Sequence, residues 1–164
     1  MADIAYVAPS SIDEVFDALD TYGEDARLMA GGTGLVNMMK QRLVQPGCLI
    51  NLSNLAGYDK VKPEAAALTI GALVTQRHME TSAVIRDFSP LLARTYGHVA
   101  TMRIRNVATV GGGIAHGDPS QDPPVTLSVL GARIRLTSRA GVREVAIGDF
   151  LKDYYETDRK STRL

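Results

Sequence analysis

One cysteine, Cys48, is all that the 164 residues contain. A lone thiol closes no disulfide within the chain and supplies no cysteine set for zinc or an iron–sulfur cluster. That usage fits a reducing, cytoplasmic compartment. Tryptophan is absent, and 6 Tyr with 3 Phe are too few for the stacking platform of a single-strand nucleic-acid binder. An excess of either charge is also missing. Lys and Arg number 18 and so do Asp and Glu, so no basic field is available for a phosphate backbone, and no nucleic-acid partner is expected. No apolar run approaches the roughly 20 residues of a bilayer span. The first residues lack the basic and apolar regions of a secretory signal, so neither membrane nor export is expected.

Glycine is plentiful, with 15 residues, and two clusters stand out. The first is Ala30-Gly31-Gly32-Thr33-Gly34-Leu35. The second is Thr109-Val110-Gly111-Gly112-Gly113, followed by Ile114-Ala115-His116-Gly117-Asp118-Pro119. Each follows an apolar, strand-like run. Glycine admits positive φ and lets a ligand approach the backbone N–H groups. Successive N–H groups of such loops form anion-binding concavities. Two such loops, each with a threonine, predict a pyrophosphate clamp.

The surrounding pattern alternates strand and helix. Ile4–Val7, Arg27–Ala30 and Cys48–Leu52 read as strands. Between the first two, Ile12, Val15, Phe16 and Leu19 fall at helical spacing, with Ser11 and Glu14 as a capping box. Leu35–Lys40 reads as a short helix after the first glycine loop. This βαβ alternation predicts a small parallel sheet. Beyond Gly57, Ala67–Ile70 and Ala72–Val74 read as strands around Gly71. Thr75 is placed to cap a helix running through Met79. Pro90–Val99 reads as a helix, Thr101–Asn106 as a polar connector and Pro123–Leu130 as a helix. Arg133–Thr137 and Val142–Ala146 alternate as a hairpin, and Ile147–Leu151 reads as a short helix. The fold class expected is α+β, with a βαβ lobe over 1–54, a more β-rich α+β lobe over 55–157 and a polar tail over 158–164. That length buries a real core, roughly 70% of the unfolded chain's surface.

Several chemistries are disfavoured by the residues themselves. A G-x-G-x-x-G fingerprint from Gly32 has Asn37 where the third glycine belongs, and the next strand ends at Asn51 without the acidic residue that grips ribose. No P-loop and no G-x-S-x-G elbow occur. His116, Asp118 and Asp122 lack the spacing of a metal motif, so no metal is expected. Asp118 and Asp122 could each accept hydrogen bonds from ribose or ribityl hydroxyls, or serve as turn formers and caps beside proline. Arg103 and Arg105 could pair with phosphate or with a carboxylate. No side chain stands out as a general acid or base, so no catalytic residue is assigned. Binding groups without a catalyst suit a protein whose cofactor performs the chemistry.

With these loops, the opening Tyr6-Val7-Ala8-Pro9-Ser10-Ser11-Ile12-Asp13-Glu14-Val15, the run from Ile104-Arg105-Asn106 to Asp122, and Tyr154-Tyr155-Glu156-Thr157, the chain resembles the FAD-binding subunit of the molybdenum hydroxylases. That group includes the carbon monoxide dehydrogenase medium chain and the flavin domain of xanthine dehydrogenase. The resemblance covers about Ala5 to Thr157. It implies a two-lobed, PCMH-type (vanillyl-alcohol-oxidase-like) fold with the flavin between the lobes. It implies that Ala30, Gly31, Gly32, Thr33, Gly34, Leu35 and Asn37 hold the FAD pyrophosphate. Thr109, Val110, Gly111, Gly112 and Gly113 form the family's second loop, Asp122 matches its aspartate and Thr101 matches a position near the cofactor. Gly113 departs from the family's commoner Asn or Ser.

The resemblance also implies function and partners. The chain would be an oxidoreductase subunit that passes electrons from iron–sulfur clusters to an external acceptor. Its partners would be a molybdopterin-binding large subunit and a small 2Fe–2S subunit. Family members continue beyond the Tyr155-Glu156-Thr157 match into a C-terminal domain. A shortened chain is therefore expected, with self-association through the surface left open. The rival expectations are a standalone FAD-dependent oxidoreductase and a truncated, non-catalytic partner-binding module.

Overall fold

Apolar strands separated by a capped amphipathic helix fold as expected into a parallel sheet. The computed structural model describes residues 3–158; the predicted tail lies outside them from residue 159 on. Strand β1 (Ala5–Val7) leads to helix α1 (Ile12–Tyr22). The Ser11 hydroxyl accepts from the Glu14 N–H at 3.2 Å, and the Glu14 carboxylate accepts from the Ser10 N–H at 2.7 Å. These bonds satisfy helix-start donors that would otherwise be orphaned. Gly23 ends the helix at φ 53°, a backbone region that suits glycine. Then come β2 (Ala26–Met29), α2 (Thr33–Lys40) and β3 (Cys48–Asn51). The sheet order is β1-β3-β2, all parallel, with Val7 opposite Ile50 and Met29 opposite Asn51. The central strand buries Cys48 and Ile50 completely, and Val15 and Ala18 of α1 join them in the core. Full burial of a side chain such as Ile50 stabilises by about 1.5–3 kcal/mol. Burial also pushes the Cys48 thiol up from its ordinary range, which makes it an inert packing group.

The chain forms two compact units. The first runs through Val74 and takes back Val107–Gly112; the second holds Thr75–Asn106 and the chain from Gly113 onward. The division thus falls after Val74 rather than near Asn54. Its cause is packing and hydrogen bonding: Tyr58 and Leu73 pack against the parallel-sheet core. The antiparallel pair β4 (Val61–Pro63) and β5 (Leu68–Ile70) sits between them in sequence. Ala72–Val74 is a turn and not the predicted strand. The Gly71 N–H donates to the Lys60 carbonyl at 2.9 Å, Leu73 to Tyr58 at 2.8 Å and Val74 back to Gly71 at 3.1 Å. A side chain at Gly71 would overlap the Tyr58 carbonyl oxygen, so only glycine lets the chain turn there.

In the second unit, α3 (Gln76–Thr81), α4 (Ala83–Phe88) and α5 (Pro90–His98) bury Met79, Ile85, Leu92 and Tyr96. The Thr75 and Ser89 hydroxyls cap α3 and α5 by accepting from His78 and Leu92. The predicted connector at 101–106 is a short helix, α6 (Met102–Arg105). Helix α7 (Val110–His116) begins in the first unit, and its residues from Gly113 belong to the second. Next are α8 (Asp122–Val129), the hairpin β6 (Arg133–Ser138) and β7 (Gly141–Ala146), α9 (Ile147–Phe150), and the pair β8 (Leu151–Asp153) and β9 (Glu156–Thr157). Residues exposed and half-buried alternate along β6, as its sequence predicts for a hairpin with one wet face. Among the described residues, no helix is long and apolar enough to cross a membrane.

Candidate cofactor-binding site

The first glycine segment is a strand-to-helix turn with its donors unspent. Strand β2 stops at Met29, and Gly32 occupies the N-cap of α2 at φ 71° without a side-chain cap. The first loop donor to find a carbonyl is Val36 N–H, which reaches Gly32 at 2.9 Å. Among the described residues, the N–H groups of Gly31, Gly32, Thr33, Gly34 and Leu35 meet no protein acceptor. Five consecutive donors at the positive end of a helix dipole favour an anion. The segments Ala30–Leu35 and Val107–Gly112 contain no carboxylate to compete for them.

The second glycine segment departs from the predicted loop. Gly111, Gly112 and Gly113 lie inside α7, and none has a positive φ. The donors of Val110, Gly111 and Gly112 are spent. Val110 N–H bonds the Val74 carbonyl and Gly111 N–H the Ala72 carbonyl, each at 2.9 Å. Gly112 N–H bonds the Thr109 hydroxyl at 3.1 Å. The segment needs glycine for close approach. A Cβ on Gly111 would lie 2.6 Å from the Ala72 Cβ, and one on Gly112 would lie 2.8 Å from the Thr109 hydroxyl. Thr109 is itself buried, and its oxygen is used as the helix cap.

Both segments meet within the first unit. A side chain on Gly31 would overlap the Val107 carbonyl oxygen, and one on Gly112 would reach within 3.7 Å of the Ala30 Cβ. The sequence shows the glycines but not these partners; Val107 and Ala72 carry no recognisable signal. Thr33 and Asn37 are exposed on α2, and Leu35 is half-buried there. The five free N–H groups, with the exposed Thr33 in the same turn and no carboxylate in either segment, fit a pyrophosphate.

The remaining candidates belong to the second unit. Thr101 caps α6, accepting from Ile104 N–H at 3.4 Å. Asp122 is exposed at the start of α8, before Pro123. Asp118 turns on itself. The Ser120 N–H and hydroxyl bond its carboxylate at 2.9 and 2.7 Å. These bonds, the backbone one foremost, hold its pKa below the ordinary value, and the nearby His116 and Tyr155 lower it further. Arg105 is buried and faces a carboxylate rather than a ligand. Its Nε donates to Glu80 at 2.9 Å, and its Nη1 donates to the Val99 and Ala100 carbonyls. Among the described residues, no three of His, Cys, Asp and Glu gather as a metal site.

Comparison with known proteins identifies the family. Residues 2–164 match the family described as FAD binding domain in molybdopterin dehydrogenase. The chain belongs to that family, and FAD is the cofactor its name carries. It is 36% identical over 152 residues to the carbon monoxide dehydrogenase medium chain of Afipia carboxidovorans, covering 93% of this chain and 53% of that one. It is 31% identical over 162 residues to the glyceraldehyde dehydrogenase medium chain of Sulfolobus acidocaldarius, covering 99% of this chain and 57% of the relative. Among solved structures, quinoline 2-oxidoreductase from Pseudomonas putida 86 superimposes with a TM-score of 0.91 at 37% identity, over 95% of this chain and 54% of that one. The α+β fold is therefore that of these proteins. The chain spans about half the length of the relatives it matches.

Proposed function

We propose that the chain binds FAD as part of the electron-transfer subunit of a molybdenum-containing hydroxylase or dehydrogenase. The observation that carries this reading is the run of five unspent N–H groups from Gly31 to Leu35, placed where the second glycine segment packs against the same turn. The family match supports the identity of the cofactor. FAD, when bound, supplies electron transfer that no side chain here can provide. The chain's own task is to hold and orient it. Gly31–Leu35 donate to the pyrophosphate, with the Thr33 hydroxyl within the same turn. The Gly31 and Gly111 contacts keep the two segments together, and Thr109 fixes the start of α7.

The relatives named medium chains support a larger assembly. In this reading the partners are a molybdopterin-binding large subunit and a 2Fe–2S small subunit, and the assembly works in the cytoplasm. The one cysteine of this chain, buried in the sheet, leaves the clusters to another chain. Affinity purification of the tagged protein from its native cells is expected to bring down two further polypeptides with molybdenum and iron in stoichiometric amounts. A preparation that carries flavin but neither metal would favour a standalone flavoprotein.

A further inference from the structure

The parallel sheet carries a polar pair at the end where the glycine turn starts. Side chains alternate across a strand, and the register places Tyr6 beside Leu49 and Met29 beside Asn51 on one face. Helix α1 packs Val15 and Ala18 against the other face, with Ala5, Val7, Cys48 and Ile50. Asn51 ends the central strand, and its carboxamide is oriented by its neighbours. Oδ1 accepts from the Ser53 N–H at 3.1 Å, so Nδ2 is the end that donates to the Tyr6 hydroxyl. The Tyr6 oxygen is therefore an acceptor, and among the described residues nothing accepts its proton. Tyr6 is 58% exposed, and its bond to Asn51 draws the phenol past Leu49 toward the carboxyl end of the sheet. A single hydrogen bond at an exposed site contributes modestly to stability. This one holds a free donor in place, and Asn51 Oδ1 keeps a second lone pair. Met29, opposite Asn51 in register, links the pair to the glycine turn. Its Sδ lies 3.3 Å from where a Cβ of Gly32 would stand. All of these residues belong to the first unit.

In nucleotide-binding βαβ units the ligand lies outside the carboxyl ends of the strands, and a residue ending the strand after the glycine turn bonds a ribose hydroxyl. Strand β2, the turn from Gly31 to Leu35, α2 and β3 follow that order, and Asn51 stands at that position. We propose that Tyr6 and Asn51 form a ribose subsite for the adenosine half of FAD. Tyr6 donates its hydroxyl proton to a ribose oxygen, and Asn51 Oδ1 accepts from a ribose hydroxyl. The inference rests on the FAD reading above and adds to it two residues of the same unit. The pair is uncharged, so it meets the diol without the carboxylate that the sequence lacks at this position.

The test titrates the unaltered chain, Tyr6→Phe and Asn51→Ala with FAD, ADP, inorganic pyrophosphate and dideoxy-ADP, which lacks both ribose hydroxyls. The melting temperature of each ligand-free protein is measured alongside. Tyr6→Phe removes one exposed hydroxyl, so its ligand-free melting temperature should not change. The unaltered chain is expected to bind dideoxy-ADP about tenfold more weakly than ADP. Tyr6→Phe should weaken FAD and ADP about tenfold and leave dideoxy-ADP and pyrophosphate unchanged. Asn51→Ala, which also releases the phenol, should weaken ADP at least as much. Unchanged ADP affinity in Tyr6→Phe overturns the inference. So does a loss that dideoxy-ADP and pyrophosphate share with ADP, since that marks a structural role. A loss confined to FAD overturns it too, because the hydroxyls that Tyr6 meets would then be those of the ribityl chain. Failure of the unaltered chain to bind FAD or pyrophosphate would instead overturn the cofactor reading itself, and this inference with it.

Discussion

Gly31→Ala is expected to cost about 3 kcal/mol of stability and to weaken FAD binding roughly a hundredfold. The added methyl would overlap the Val107 carbonyl oxygen and lie 2.8 Å from its carbon. Both are backbone atoms, so no side chain can swing aside, and one glycine segment must move off the other. Gly32→Val and Gly112→Val should behave differently. At Gly32 the strain is a β-branched residue at φ 71°, with the Met29 and Val36 side chains, and no backbone atom, the nearest groups. At Gly112 the Cβ displaces the Thr109 hydroxyl cap, a loss of about 1 kcal/mol. Both should abolish FAD binding while far-UV circular dichroism stays close to that of the unaltered protein. Gly148→Ala is the control, since nothing lies within 4 Å of its Cβ position. Thermal unfolding and flavin fluorescence on the four variants check these outcomes. Full FAD affinity in Gly31→Ala would show that the contact between the segments is irrelevant to binding.

The second large effect is expected at Arg105. Its guanidinium joins α6 to α3 through Glu80 and satisfies two carbonyls at the end of α5. Arg105→Met should destabilise the protein by about 3 kcal/mol, because removing one member of a buried pair leaves the others unpaired. Arg77 also holds Glu80, at 2.8 Å, and so softens the loss. The pH dependence has a definite sign. Hydrogen bonds from Arg77 first, then Arg105, lower the Glu80 pKa from its ordinary 4.5. A depressed carboxylate contributes stability that is present above 4.5 and lost as pH falls through the lower folded value. The gap between the unaltered protein and Arg105→Met should therefore be full at pH 7 and shrink below about pH 4.5. Urea unfolding at pH 7 and pH 3 measures it. A gap that grows in acid would contradict the assignment of Glu80 as the ionised partner.

The elements most legible in the sequence are those that depend on neighbours along the chain. Ser11 and Thr75 before helical patterns, Gly23 after one, and the alternation of Arg133–Thr137 with Val142–Ala146 all express local physics. The βαβ start follows from the same rules. What stayed hidden depends on distant partners. Val61-Lys62-Pro63 forms a strand only because Leu68–Ile70 pairs with it. Ala72–Val74 is apolar enough for a strand but is folded back by carbonyls of Tyr58 and Lys60. Gly111–Gly113 suggests a loop because triple glycine weakens a helix. The structure keeps the helix because Ala72 and Thr109 leave no room for side chains there. The cofactor candidates divide the same way. The first segment's free donors follow from a strand-to-helix turn at Gly32, whereas the spent donors of Val110 and Gly111 follow from Val74 and Ala72, 36 and 39 residues earlier in the chain.

The central claim is that the turn from Gly31 to Leu35 holds the pyrophosphate of FAD. Titration of the purified chain with FAD, followed by flavin fluorescence and visible absorption with NAD as the control, tests it most directly. The account predicts saturable binding of FAD and none of NAD, with Gly32→Val abolishing the signal. A chain that is folded by circular dichroism and binds neither, or binds FAD equally well with valine at position 32, would contradict it.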